Sequence, residues 1–108
     1  MRGLPQLEDL NLFLTPIGDA GLVHVATLKQ LRRLSLWETK ITDAGLAHLA
    51  GLTKLQSLDL TNTAVTDAGL RHLGGLSQLR ELNLSGTNVS DAGVQALREA
   101  LPKLKVTR

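Results

Sequence analysis

Residues 31–54 read Leu-Arg-Arg-Leu-Ser-Leu-Trp-Glu-Thr-Lys-Ile-Thr-Asp-Ala-Gly-Leu-Ala-His-Leu-Ala-Gly-Leu-Thr-Lys, and this stretch decides the fold because it recurs. Leu34 and Leu36 return 24 residues later as Leu58 and Leu60, then as Leu82 and Leu84, and 24 residues earlier as Leu10 and Leu12. Within the stretch the apolar period changes. In Arg33-Leu34-Ser35-Leu36-Trp37 apolar and polar residues alternate, so Leu34 and Leu36 point inward from a strand while Arg33, Ser35 and Trp37 point outward. From Thr42 onward Leu46 and Leu49 take helical spacing. A strand, a turn and a short helix therefore repeat as units 7–30, 31–54, 55–78 and 79–102, after a partial unit 1–6 and before a closing strand 103–107. Together they make a single domain.

Each helix start is marked. Thr42, Thr66 and Ser90 are suited to N-caps, and Asp43, Asp67 and Asp91 follow in the first turn, where the helix dipole favours a carboxylate. Unit one has Gly18 in the cap position, which predicts the least anchored helix. Gly21, Gly45, Gly69 and Gly93 lie early in the helices, where glycine costs about 1 kcal/mol relative to alanine. Repetition of that cost points to close packing against a neighbour. Thr15, Thr39, Thr63 and Thr87 follow the strands and are expected to bond unpaired backbone groups in a ladder along the array. In unit four, 91–100 reads as a longer helix ended by Pro102, and Lys103-Leu104-Lys105-Val106-Thr107 alternates as a strand. That end resembles a cap, whereas nothing in 1–6 does. An array exposes its terminal apolar faces unless they are covered, so an uncapped first face is expected to pair with another copy or to continue a longer array.

Composition narrows the classes. Apolar residues make up 43% of the 108 and aromatic ones only 2%, namely Phe13 and Trp37, so the core is expected to be aliphatic. Twelve basic residues against ten acidic ones leave a charge of +2 without a basic stripe, which argues against a nucleic-acid partner. The absence of cysteine removes disulfides, thiolate metal sites and cysteine nucleophiles, and favours a cytoplasmic setting. No apolar run approaches the roughly 18 residues of a membrane span, and no signal-peptide pattern is present.

The pattern Leu-x-x-Leu-x-Leu, then Thr-x-Ile/Val, then Thr-Asp-Ala-Gly-Leu, carried from residue 4 to 107, resembles the leucine-rich repeat family. It looks like the 24-residue repeats common in bacterial arrays. It is also similar to the ribonuclease-inhibitor-like and cysteine-containing repeats that follow F-box motifs, although no F-box precedes it here. The resemblance implies an α/β fold, a right-handed solenoid with a parallel sheet on the concave face and short helices on the convex face. It also implies partner binding through outward strand residues. The outward columns are Asp9, Arg33, Ser57 and Glu81; then Asn11, Ser35, Asp59 and Asn83; then Phe13, Trp37, Thr61 and Ser85; and at the strand exit Leu14, Glu38, Asn62 and Gly86.

The two aromatic residues share a column on adjacent strands, an apolar surface of the kind found at interfaces. The site expected from these readings comprises Phe13, Leu14, Arg33, Ser35, Trp37, Glu38, Asp59, Thr61 and Asn83, engaging a protein or peptide. Alternatives are a structural or self-associating segment of a longer array, and a glycan or peptidoglycan binder stacking on Trp37 with Asp59 and Asn83 as hydrogen-bond partners. His24, His48 and His72 recur once per helix, too far apart for one metal, and are expected to be half-exposed packing residues. No nucleophile elbow or phosphate loop occurs, so neither an enzyme nor a cofactor is expected.

Overall fold

The computed structural model describes residues 7–13 and 15–108; the partial unit 1–6 and Leu14 lie outside the described residues. Five strands, β1 (Asp9–Asn11), β2 (Arg33–Ser35), β3 (Ser57–Asp59), β4 (Glu81–Asn83) and β5 (Lys105–Thr107), form one parallel sheet in chain order. Between them run α1 (Asp19–Val25), α2 (Asp43–Leu49), α3 (Asp67–Leu70) and α4 (Asp91–Ala100). The register is that of the 24-residue repeat, with Leu10, Leu34, Leu58, Leu82 and Val106 side by side. The result is the solenoid expected from the repeat, with strands lining one face and helices the other.

Alternation within each strand sends one leucine inward per unit, and the helices return Leu22, Leu46, Leu70 and Val94 against them. Every buried apolar side chain among the described residues is Leu, Ile or Val. Each fully buried one contributes on the order of 1.5–3 kcal/mol. Leu7, Leu10, Leu12 and Ile17 are only partly buried, whereas their counterparts Leu31, Leu34, Leu36 and Ile41 are at most 2% exposed. The difference is one of neighbours, since no described unit packs on the outer side of unit one.

The units are pinned to one another by a hydrogen-bond ladder on the helix side. The Asp19 carboxylate accepts the Thr42 N–H at 2.7 Å through Oδ1 and the Thr42 hydroxyl through Oδ2. Asp43 does the same for Thr66, and Asp67 for Ser90. Thr42 and Thr66 therefore occupy N-cap positions without capping their own helices by side chain; their hydroxyls donate to the preceding unit. Ser90 does both, accepting a long bond from the Gly93 N–H at 3.3 Å. Asp91 instead pairs with Arg108, whose guanidinium also donates to the Val89 carbonyl.

The same ladder explains three of the four costly glycines; at Gly21 a Cβ would instead overlap the Ile17 side chain of its own unit. A Cβ on Gly45, Gly69 or Gly93 would overlap the carboxylate of Asp19, Asp43 or Asp67 respectively, and on Gly45 and Gly69 also a leucine methyl of the preceding helix. Each aspartate crosses the next helix where only hydrogen leaves room.

The threonines after the strands behave differently from the expected ladder. The hydroxyls of Thr15, Thr39, Thr63 and Thr87 donate to the carbonyls of Leu12, Leu36, Leu60 and Leu84, three residues back in the same unit, at 2.6–2.7 Å. They satisfy strand-end carbonyls within a unit; cohesion between units belongs to the aspartates.

Two helices depart from the repeat. The third shortens to one α-turn and continues as a 3₁₀ turn, Arg71–Leu73, ahead of Gly74-Gly75, which offer little helical propensity. The fourth extends to ten residues and ends at Ala100; Leu101, ahead of Pro102, has left the helical region.

Two outcomes test the ladder. Gly69→Ala should destabilise the protein by about 1–3 kcal/mol in urea unfolding through overpacking, while Gly75→Ala, whose Cβ meets nothing, should be neutral or stabilising. The Ser90 hydroxyl and then the Ser90 N–H hold the Asp67 carboxyl below its usual value of 3.8, against an opposing effect of desolvation, with Arg108 contributing least. A folded pKa below the unfolded one gives stability that is complete above the unfolded value and lost as pH falls through the folded value. Unfolding midpoints should thus fall below about pH 4, with a shallower fall in Asp67→Asn.

Candidate functional site

The sheet register brings the outward side chains into the expected columns. Asp9, Arg33, Ser57, Glu81 and Lys105 stand in one row, and Asn11, Ser35, Asp59, Asn83 and Thr107 in the next. A shallow depression of about 370 Å³ lies among Asp9, Asn11, Arg33, Ser35, Ser57 and Asp59.

In the third column Phe13 and Trp37 stack, with ring centroids 4.2 Å apart and planes inclined by 22°. Phe13 therefore lies against Trp37 and does not fold back over unit one. Both remain exposed, at 38% and 37%. Ladder bonds continue past the strands, from the Leu36 N–H to the Asp59 carbonyl at 2.8 Å and from the Glu38 N–H to the Thr61 carbonyl at 2.9 Å. Thr61 is thus the next step after Trp37 in the column.

The second column is less available than its outward direction suggests. Asn11 Oδ1 accepts the Phe13 N–H at 2.9 Å, Asp59 Oδ1 accepts both the N–H and the hydroxyl of Thr61, and Asn83 Oδ1 accepts the Ser85 N–H at 3.0 Å. These are turns in which an Asn or Asp side chain mimics backbone two residues on. They were legible as Asn/Asp at this position in three of four units, a signal that sequence reasoning assigned to binding. They take up part of the hydrogen-bonding capacity that a glycan reading assigns to Asp59 and Asn83.

Unit two breaks this local pattern twice. Ser35 stands where the others have Asn or Asp, and Glu38 adopts φ 57°, the left-handed region that Asn62 (φ 58°) and Gly86 (φ 74°) occupy in the next units. Asparagine and glycine tolerate that conformation; for glutamate it costs on the order of 1 kcal/mol. Asn62 Nδ2 donates a long bond to Glu38 Oε1 at 3.5 Å, drawing that carboxylate toward unit three. The ion pairs among the described residues are Arg32–Glu8 and Arg108–Asp91, so neither Arg33 nor Glu38 is in one. Leu14, the remaining expected site residue, is outside the described residues.

Elsewhere the surface is less suggestive. His24, His48 and His72 are exposed, one on each successive convex segment, and no group of three metal-ligating side chains gathers among the described residues. His72 lies on the convex side and Asp59 on the concave sheet, so these two do not form a catalytic pair. A larger convex groove of about 460 Å³ lies where Gly74, Ala92, Ala96 and Ala100 leave space between α3 and α4. No buried side-chain nitrogen or oxygen lacks a partner there or elsewhere among the described residues. No described helix is long and apolar enough to cross a membrane.

A parallel sheet with one short helix per 24-residue unit is the architecture of a leucine-rich repeat protein, and family models described as leucine-rich repeats match residues 29–89 and 4–26. The chain belongs to that family. It superposes on internalin C2 of Listeria monocytogenes with a TM-score of 0.81 and 35% identity, over 96% of this chain and 42% of the internalin. A leucine-rich-repeat protein of Leptospira interrogans gives 0.62 and 26%, over 80% of this chain and 21% of that one. A second Listeria internalin gives 0.62 and 24%, over 95% and 35%, a likeness of fold alone. The chain thus spans less than half the length of each of these structures. No curated protein matches its sequence. Leucine-rich repeats are in general modules for protein–protein interaction and not enzymes.

Relief of the left-handed strain offers a check on unit two: Glu38→Asn should raise stability by about 0.5–1 kcal/mol in thermal unfolding, whereas a Glu38 free of strain would leave it unchanged.

Proposed function

We propose that this chain binds a protein or peptide through its concave face, with the Phe13–Trp37 stack as the anchor and Arg33, Ser35, Glu38, Asp59, Thr61 and Asn83 around it; Leu14 belongs to the same proposal by its place in the sequence. The observation that carries this reading is the stacked aromatic pair held in solvent on the sheet. The only two aromatic residues of the chain stand outside an otherwise aliphatic core. Folding by itself would favour burying them, since each ring can remove about 150–250 Å² from water. A partner that covers the pair recovers that burial, as tryptophan does at interface hot spots.

The breaks in unit two support the same location. Side chains that violate local preference in one unit out of several are kept against a stability cost, and such costs concentrate at functional positions. Arg33 on one side of the anchor and Glu38 on the other offer opposite charges to a partner, which favours one orientation of binding. Non-catalytic binding, with no cofactor or metal, is the function these groups support.

The test compares proteins retained from the source organism by immobilised wild type, Trp37→Ala and the convex control His48→Ala. Trp37→Ala should lose the retained partner, by about 2 kcal/mol or more, with unchanged far-UV circular dichroism. The control should keep it. Equal retention by all three would remove the concave anchor from consideration.

A further inference from the structure

The third outward column changes character halfway: Phe13 and Trp37 are rings, while Thr61 and Ser85 are small. One face of Trp37 is covered by Phe13. Backbone bonds from Leu36 to Asp59 and from Glu38 to Thr61 place Thr61 one strand further along, about 4.8 Å on in a parallel sheet. That step matches the separation of a stacked ring, as the 4.2 Å between the two existing rings shows. Beyond Trp37 the column therefore continues as a low floor and not as a third ring.

The floor is suited to apolar cover. The N–H and the hydroxyl of Thr61 both end on Asp59 Oδ1, and the Ser85 N–H ends on Asn83 Oδ1. Covering Thr61 leaves neither its N–H nor its hydroxyl newly unpaired, which lowers the desolvation cost of seating an aromatic ring over that residue. A glycan, by contrast, would have to compete for oxygens already engaged in the turns.

Charge adds a second requirement. The outward columns and strand exits carry four carboxylates, Asp9, Glu38, Asp59 and Glu81, against two cations, Arg33 and Lys105, although the whole chain is +2. Glu38, drawn toward unit three by Asn62, stands beside the floor. A cation next to the incoming ring would meet this carboxylate, and Trp37 itself attracts cations over its face.

We propose that the concave face seats an aromatic side chain flanked by lysine or arginine, from a protein partner, as the third ring of the Phe13–Trp37 stack, over Thr61 and beside Glu38. This rests on the concave-face reading above and specifies what that face selects.

The test is a nuclear magnetic resonance titration of the whole chain with three probes: the acetylated, amidated tripeptides Lys-Tyr-Lys and Lys-Ala-Lys, and cellotriose. Lys-Tyr-Lys at millimolar concentration should move the Thr61 and Asn62 amides by ring-current shifts and bind roughly five- to ten-fold more tightly than Lys-Ala-Lys. Thr61→Phe, which fills the position from within, should abolish that preference. Glu38→Gln should weaken both peptides and retain it. The comparison of the two peptides on wild type needs no variant to fold. Equal binding of both peptides, preference for cellotriose, an unchanged preference in Thr61→Phe, or no shift at all would each overturn the third-ring proposal. Shifts across Arg33, Ser35 and Asp59 without aromatic preference would overturn it while leaving the concave interaction surface standing. Shifts confined to the convex helices would overturn both.

Discussion

An aspartate carboxylate that reaches out of one helix start to hold the N–H and hydroxyl of the next is the interaction on which the stacking of this array depends. Hydrophobic burial drives the units together but is indifferent to small displacements along the stacking direction. Bidentate acceptance by a carboxylate is not, because both oxygens must find their donors at once. The bonds repeat between units one and two, two and three, and three and four. The missing Cβ at Gly45, Gly69 and Gly93 lets the helices approach closely enough to make them.

A fixed spacing on the helix side becomes a fixed register on the sheet side. Every strand pairs with its neighbour at the 24-residue interval, so a side chain's position in its unit dictates its column on the concave face. The stack of Phe13 on Trp37 is a direct product of that regularity, as two rings at equivalent positions are carried to stacking distance without any contact designed between them. The scaffold thus supplies position, and differences between units supply chemistry. Unit two differs most, through Arg33, Ser35, Trp37 and Glu38, and it is there that the backbone takes on a left-handed glutamate.

The fold was almost wholly legible in the residues, because alternation in the strand and three-residue spacing in the helix each report burial directly. The misreadings all concern hydrogen bonds. Thr42 and Thr66 look like helix caps, yet they donate to an aspartate 23 residues earlier. Thr39 looks like a rung between units, yet it bonds three residues back. Asp59 and Asn83, read from the sequence only as outward groups, each also close a turn at their own strand end, a bond that reading left out. In every case the side chain is polar, short and able to reach several partners. Composition cannot choose among such partners, because the choice turns on an ångström of approach.

Residue order alone determined the period, the strand and helix assignments, the aliphatic core and the column in which Phe13 and Trp37 meet, since all of these follow from where apolar groups recur. Only the tertiary structure decided that the aspartates couple successive units, that Gly45, Gly69 and Gly93 make room for them, and that Glu38 is held left-handed. Those features depend on atoms brought together from different units, and their energies change sign over distances that a one-dimensional pattern does not specify.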